Sequence, residues 1–165
     1  MPSTYEPIAT STLGSAAADV TFSSISGSYT DLIVVMQTQS TAAGFANLNI
    51  QFNGDAGTTY SRTILYGNGT TAGSGRSSNA NEITVNTMPT SGQGFWTIVK
   101  LSIMNYSNTT TYKTVLNRAD LLNDAALASV SMWRSTSAIT SIKIYSSSGN
   151  LNTGSTFTLY GVKSA

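Results

Sequence analysis

The chain has 165 residues, a net charge of +1, and 9% charged against 40% hydrophobic side chains, where a typical soluble domain carries about 25% charged residues. That is enough to bury one core, and the eight basic residues stand singly between Arg62 and Lys163, which excludes the clustered basic face that nucleic-acid binding needs. With no histidine and no cysteine, Ser-His-Asp triads, Cys-His dyads, disulfides and His- or Cys-ligated zinc are excluded as well.

Serine and threonine fill close to a third of the chain, so the surface is wetted by hydroxyls and amides more than by ions. Low charge weakens repulsion between copies and suits association with them or with a lattice; a monomer solubilised by hydroxyls fits the same composition.

The opening stretch, MPSTYEPIATSTLGS, lacks the basic and apolar regions of a secretory signal. Residues 1–7 read either as an arm that orders on a neighbour, with Tyr5 as its anchor, or as a frayed terminus leading into the first strand. Period-two alternation then places strands near 5–10, 17–25, 30–38, 46–53, 60–66, 82–87, 95–106, 111–119, 126–135, 139–146 and 155–163. The longest apolar run, Leu32 to Met36, is a buried strand, far short of the ~18 residues that span a bilayer. A soluble protein made in a cytoplasm is expected, with no membrane partner.

Between the fourth and fifth strands, FNGDAG places Asn53, Gly54 and Asp55 together. A calcium loop needs further oxygen ligands and a bidentate Glu; here position 57 is Gly and the next Glu is Glu82, so a turn built on Asn-Gly is expected. The segment from Gly67 to Glu82 shows no periodicity and reads as a long loop. Its glycines 67, 69, 73 and 75 do not form a phosphate loop, since Ala72 stands where GxGxxG needs Gly and no GK[ST] follows. In FWTIVKLSIMNY, Phe95, Val99, Leu101 and Ile103 share one face, with Ile98 and Met104 beside Lys100 and Ser102 on the other. ADLLNDAALA, Ala119 to Ala128, pairs Leu121 with Ala125 and Leu122 with Ala126 at i,i+4, so a helical turn capped by Asp120 is expected there. The sequons at Asn68, Asn105 and Asn108 are those that a chain this rich in Ser and Thr produces by chance.

General acid–base chemistry is left to seven carboxylates, Glu6, Asp19, Asp31, Asp55, Glu82, Asp120 and Asp124. A glycosidase uses two, but most of these adjoin turns, where acids cap and break chains. No catalytic, cofactor-binding or metal-binding residue is assigned, and the chain is not expected to be an enzyme. Trp133 beside Arg134, in SMWRSTSAIT, reads either as an exposed stacking pair for a sugar or as a core ring with an arginine on the opposite strand face. Tyr5, Trp133 and Arg134 are the candidate partner contacts.

Short strands at this spacing indicate a single antiparallel β-sandwich domain over residues 1–165, with about ten strands and at most one helical turn. Five segments in order, YEPIAT, VTFSSISGSYTDLIVV, LNIQFNGDAGTTYSRTILYGNG, MWRSTSAITSIKIYSSSG and GSTFTLYGVKSA, resemble small virion proteins of tailed bacteriophages, notably those of aquatic bacteria and cyanobacteria. The resemblance implies a jelly-roll-like sandwich serving as a capsid decoration (cement) protein or as a tail or fibre module; it carries no active-site residues. With no heptad seam and no β-shaft repeat, a free-standing domain on a shell is expected. Its partner would be the major capsid protein, its form a homotrimer and its location the virion surface, after synthesis in the host cytoplasm. The alternative is a tail-fibre or receptor-binding module that grips a host glycan.

Overall fold

The computed structural model describes residues 4–121 and 125–163. The alternating segments become β1 (Tyr5–Thr12), β2 (Asp19–Phe22), β3 (Asp31–Thr38), β4 (Ala46–Phe52), β5 (Tyr60–Gly67), β6 (Ala72–Ala80), β7 (Ile83–Met88), β8 (Thr97–Met104), β9 (Lys113–Leu121), β10 (Ala125–Trp133), β11 (Ile142–Ser146) and β12 (Thr156–Val162), with a single 3-10 turn at Ser91–Gln93. They form an eight-stranded sheet in the order β1-β12-β3-β8-β9-β10-β5-β6 and a four-stranded sheet in the order β2-β11-β4-β7.

The pairing has a simple origin. Four antiparallel ladders, β1 with β12, β2 with β11, β3 with β8 and β4 with β7, make one long folded ribbon. Rolling the ribbon sends alternate ladders to opposite sheets, which is the jelly-roll sandwich. Two hairpins interrupt it: β5–β6 between β4 and β7, and β9–β10 between β8 and β11. Both join the same sheet beyond β8, and so one sheet grows to eight strands while the other stays at four.

The core lies where the sheets overlap. Leu32, Val34 and Met36 of β3 and Val99, Leu101 and Ile103 of β8 face Leu48, Ile50 and Phe52 of β4 and Ile142 and Ile144 of β11, all fully buried. Alternate residues of each strand supply these side chains, as the pleat requires. Beneath β7 the interior turns polar. The Arg62 guanidinium donates to the Thr84 carbonyl at 2.6 Å and the Asn117 amide donates to the Val85 carbonyl. The Asn86 amide donates in turn to the Asp120 carbonyl at 2.7 Å. An edge strand presents unpaired backbone groups; here side chains of the added hairpins occupy two carbonyls of β7.

Close approach sets Gly161. A Cβ on Gly161 of β12 would lie 2.3 Å from the Tyr29 ring, so the ring that closes the β2–β3 connection rests on bare backbone. Tyr106 anchors the same connection, donating from its hydroxyl to the Ser26 carbonyl.

Two expectations change. The segment 67–82 is not a loop: β6 pairs with β5 from Gly67↔Ala72 to Tyr60↔Ala80. Its nine residues are exposed or half-buried, and alternation appears only where one face is buried. The helical turn at 119–128 is a hairpin of β9 and β10, with Ala125 opposite Leu121; residues 122–124 lie outside the described set. Of the two readings of residues 1–7, an arm or a terminus leading into a first strand near 5–10, Tyr5, Glu6 and Pro7 are strand residues paired with Val162, Gly161 and Tyr160, and residues 1–3 lie outside the described set.

Asn117→Ala removes the donor to Val85 and leaves a buried carbonyl without it. An expected loss of about 2 kcal/mol is read as a lower urea midpoint with an unchanged β circular dichroism spectrum. An unaltered midpoint refutes the role given to Asn117.

Candidate functional site

The acid-and-glycine loop resolves first. The Asp55 amide donates to the Phe52 carbonyl at 2.9 Å, closing a four-residue turn over Asn53 (φ 54°) and Gly54 (φ 69°), the left-handed pair that Asn-Gly favours. The Asp55 carboxylate accepts from the Gly57 amide at 2.8 Å, the Thr59 hydroxyl at 2.8 Å and the Trp133 indole at 2.7 Å. The indole hydrogen bond, with those from Gly57 and Thr59, holds this carboxyl below its ordinary value of 3.8, against an opposing push from burial. Asn53 accepts from the Thr140 and Ser141 amides. The loop is a clamp between β4–β5 and the end of β10.

Trp133 is therefore core. Its ring is 2% exposed and stacks on Tyr60 with centroids 6.4 Å apart, so it offers no face to a sugar or a partner. Arg134 donates to the Thr58 and Thr59 carbonyls and to Asn79, which ties the loop to β6. Tyr5 is 56% exposed at the outer edge of the large sheet, far along the sheet order from the other two. The three candidate contacts thus do not form one surface.

The remaining described carboxylates are structural in the same way. Glu6 pairs with Lys163 at 2.7 Å and Asp19 with Lys143 at 3.6 Å. Asp31 accepts from the Asn105 amide, Glu82 from the Asn49 amide and the Tyr145 hydroxyl, and Asp120 from the Ile98 amide. With Asp55, the six described carboxylates occupy separate places in the fold. Burial, then the hydrogen bond and charge of Glu82, raise the Tyr145 phenol above its usual range.

The unusual surface is the outward face of the large sheet. Strand register stacks Ile33, Ser102, Leu116, Val130, Thr63 and Arg76 in one row across β3, β8, β9, β10, β5 and β6. The next row holds Val35, Lys100, Arg118, Ala128, Leu65 and Ser74. Ile98 and Met104 flank them on β8, and Met132 on β10. Leu65 is 61% exposed, Ile98 60%, and Val35, Met104, Leu116, Val130 and Met132 are exposed too. Leu65, Ile98, Ala126 and Ala128, with Lys100 and Arg118, border a broad depression of about 780 Å³.

The outward face of the small sheet differs in kind. Asp19, Thr21, Lys143, Tyr145, Asn47 and Gln51 cover it. Isolated exposed apolar residues are ordinary, whereas a contiguous apolar patch marks an interaction surface. The large face presents exposed apolar side chains with Lys100, Arg118 and Arg76 among them.

Sequence reasoning placed Ile98 and Met104 opposite the core face of their strand and went no further. The signal was there, in strands with large apolar residues at both parities, but joining them needs the order β8-β9-β10-β5. No protein-family model matches the chain, and no curated protein matches it.

Asp55→Asn sets an amide against the Trp133 donor. The Asp55 pKa is lowered on folding, so its stabilisation is complete above the unfolded value of about 4 and fades as pH falls through the lower folded value. The variant is expected to be less stable by about 2 kcal/mol at pH 7, with the gap narrowing below pH ~4. Urea unfolding followed by tryptophan fluorescence at pH 7, 5 and 3 checks this; a gap constant down to pH 3 contradicts it.

Proposed function

We propose that this chain is a virion structural protein of the capsid decoration type, which binds the head shell of a tailed bacteriophage and strengthens it. The observation that carries the reading is the outward face of the eight-stranded sheet: two hairpins widen a jelly roll on one side, and the widened side is the apolar one. The resemblance of YEPIAT, LNIQFNGDAGTTYSRTILYGNG and GSTFTLYGVKSA to small phage virion proteins points the same way. Six described carboxylates spent on backbone amides, hydroxyls and cations fit a protein that works by contact and not by turnover.

The mechanism is linkage. A protein that binds the assembled shell and not its loosened form stabilises the shell by the free energy of that binding, repeated at every site. The partner is the major capsid protein and the location the outer surface of the head. The resemblance also implies three copies per unit, and self-contact then falls to sheet edges and loops. The glycan-binding alternative loses its ring, since Trp133 lies in the core.

The test uses heads of the encoding phage prepared without this chain. Added protein is expected to co-sediment with them and to raise the temperature at which they release DNA. Free protein is expected to sediment at three times the 17.3 kDa chain mass. Protein that stays in the supernatant, or that images of the particle place only on the tail, overturns the head assignment.

A further inference from the structure

We infer that the large-sheet face takes a protein surface bearing carboxylates among apolar side chains, and that Lys100, Arg118 and Arg76 recognise those carboxylates. The inference rests on the reading of the chain as a virion protein that works by contact, and names the chemistry of what it contacts.

The argument begins with where the cations are spent. Lys143 and Lys163 make the two ion pairs found among the described residues. Lys113 is fully buried and donates to the Thr111 and Thr136 carbonyls, while Arg62 and Arg134 donate to backbone carbonyls. Arg76, Lys100 and Arg118 have no hydrogen bond or ion pair among the described residues. All three stand on the same outward face. Lys100 and Arg118 are direct cross-strand partners, and like charges so placed destabilise a sheet. No described carboxylate forms an ion pair with either; Asp120, which borders the same depression, accepts the Ile98 amide at 2.7 Å.

Their neighbours decide what does. Ile98, Leu116, Leu65 and Val130 surround them, so any partner that covers the apolar side chains also strips water from the cations. A desolvated cation without an acceptor costs more than the covering gains. Carboxylates meet the need, and a guanidinium binds them in a two-point fork.

Other occupants fit less well. A second copy would bring the same cations, and its outward carboxylates Asp120 and Asp31 already accept the Ile98 and Asn105 amides at 2.7 Å each. A nucleic acid would meet three scattered cations where a phosphate backbone needs many, and would leave the apolar side chains unmatched.

The test is zero-length carbodiimide cross-linking of intact particles, which joins an ammonium only to a carboxylate in contact with it. Lys100 is expected in an amide bond with an Asp or Glu of another virion chain. Acetylation of Lys100 should be slowed at least tenfold in particles relative to free protein, and that of Lys143 should not. Lys100 joined only to a carboxylate of a second copy, shown by a covalent dimer of this chain, places that copy on the face and overturns the proposal. Equal acetylation of Lys100 in both states means an open face and overturns it too. Should the linked partner belong to the tail, the head assignment fails and this inference stands.

Lys100→Glu separates recognition from stability. Placed opposite Arg118 it relieves the like-charge pair, so the urea midpoint of the free chain should hold or rise while binding to heads lacking the chain weakens at least tenfold. Binding equal to that of the unaltered protein refutes the role of Lys100.

Discussion

The unequal width of the two sheets governs the rest of the structure. At about 4.8 Å per strand, four strands span roughly 19 Å and eight roughly 38 Å, so half of the large sheet has no sheet above it. Its inner side at β9, β10 and β5 is instead met by the edge of β7, and an edge offers carbonyls where a face would offer side chains. Arg62 and Asn117 answer those carbonyls directly. The interior therefore adds Arg62, Asn117 and Ser129 beneath β7 to a core of leucine, isoleucine and aromatic side chains. The widening that makes this seam necessary also makes the broad outer platform.

Charge follows the same division of labour. In a chain with so few ionisable groups, Asp31, Asp55, Asp120, Arg62, Lys113 and Arg134 hydrogen-bond backbone groups, and Glu6, Asp19, Lys143 and Lys163 form side-chain ion pairs. Asp55 holds a turn and an indole, Asp31 and Asp120 hold strand-end amides, and Lys113 gathers two carbonyls in the interior. Burial lowers the Lys113 ammonium from its ordinary pKa. Set against that use, the three cations Arg76, Lys100 and Arg118, which have no hydrogen bond or ion pair among the described residues, form a distinct group on one face. Structural use accounts for the other described cations, and these three are the ones the inferred carboxylate-bearing partner would engage.

How much could be read from the chain depended on burial. Strands with one face in the core, such as Asp31–Thr38 and Thr97–Met104, alternate plainly and were legible. Ala72–Ala80 is a strand with both faces open, so its glycines and serines carry no period; backbone pairing with β5 holds it. Leu121 and Ala125 show a different ambiguity, because residues four apart are neighbours on a helix and also across the tight end of a hairpin. The spacing was read correctly and the geometry was not. Trp133 shows a third case: sequence fixes that an indole needs a hydrogen-bond partner, but only the fold brings Asp55, 78 positions away, beneath it. The outer platform was illegible for a similar reason, since its rows are drawn from strands distant in sequence.

An open apolar platform on a protein of net charge +1 carries a hazard, because two such faces stack on each other as readily as on any partner. Lys100, Arg118 and Arg76 bear on that hazard directly. Stacking one copy on another would press like charges together in a region that loses its water, whereas an acidic surface neutralises them at the same moment that it covers the leucines and isoleucines. The same side chains thus oppose the wrong assembly and favour the right one. That double action explains why a like-charge pair persists at adjacent strand positions, where either charge alone would cost the free fold less.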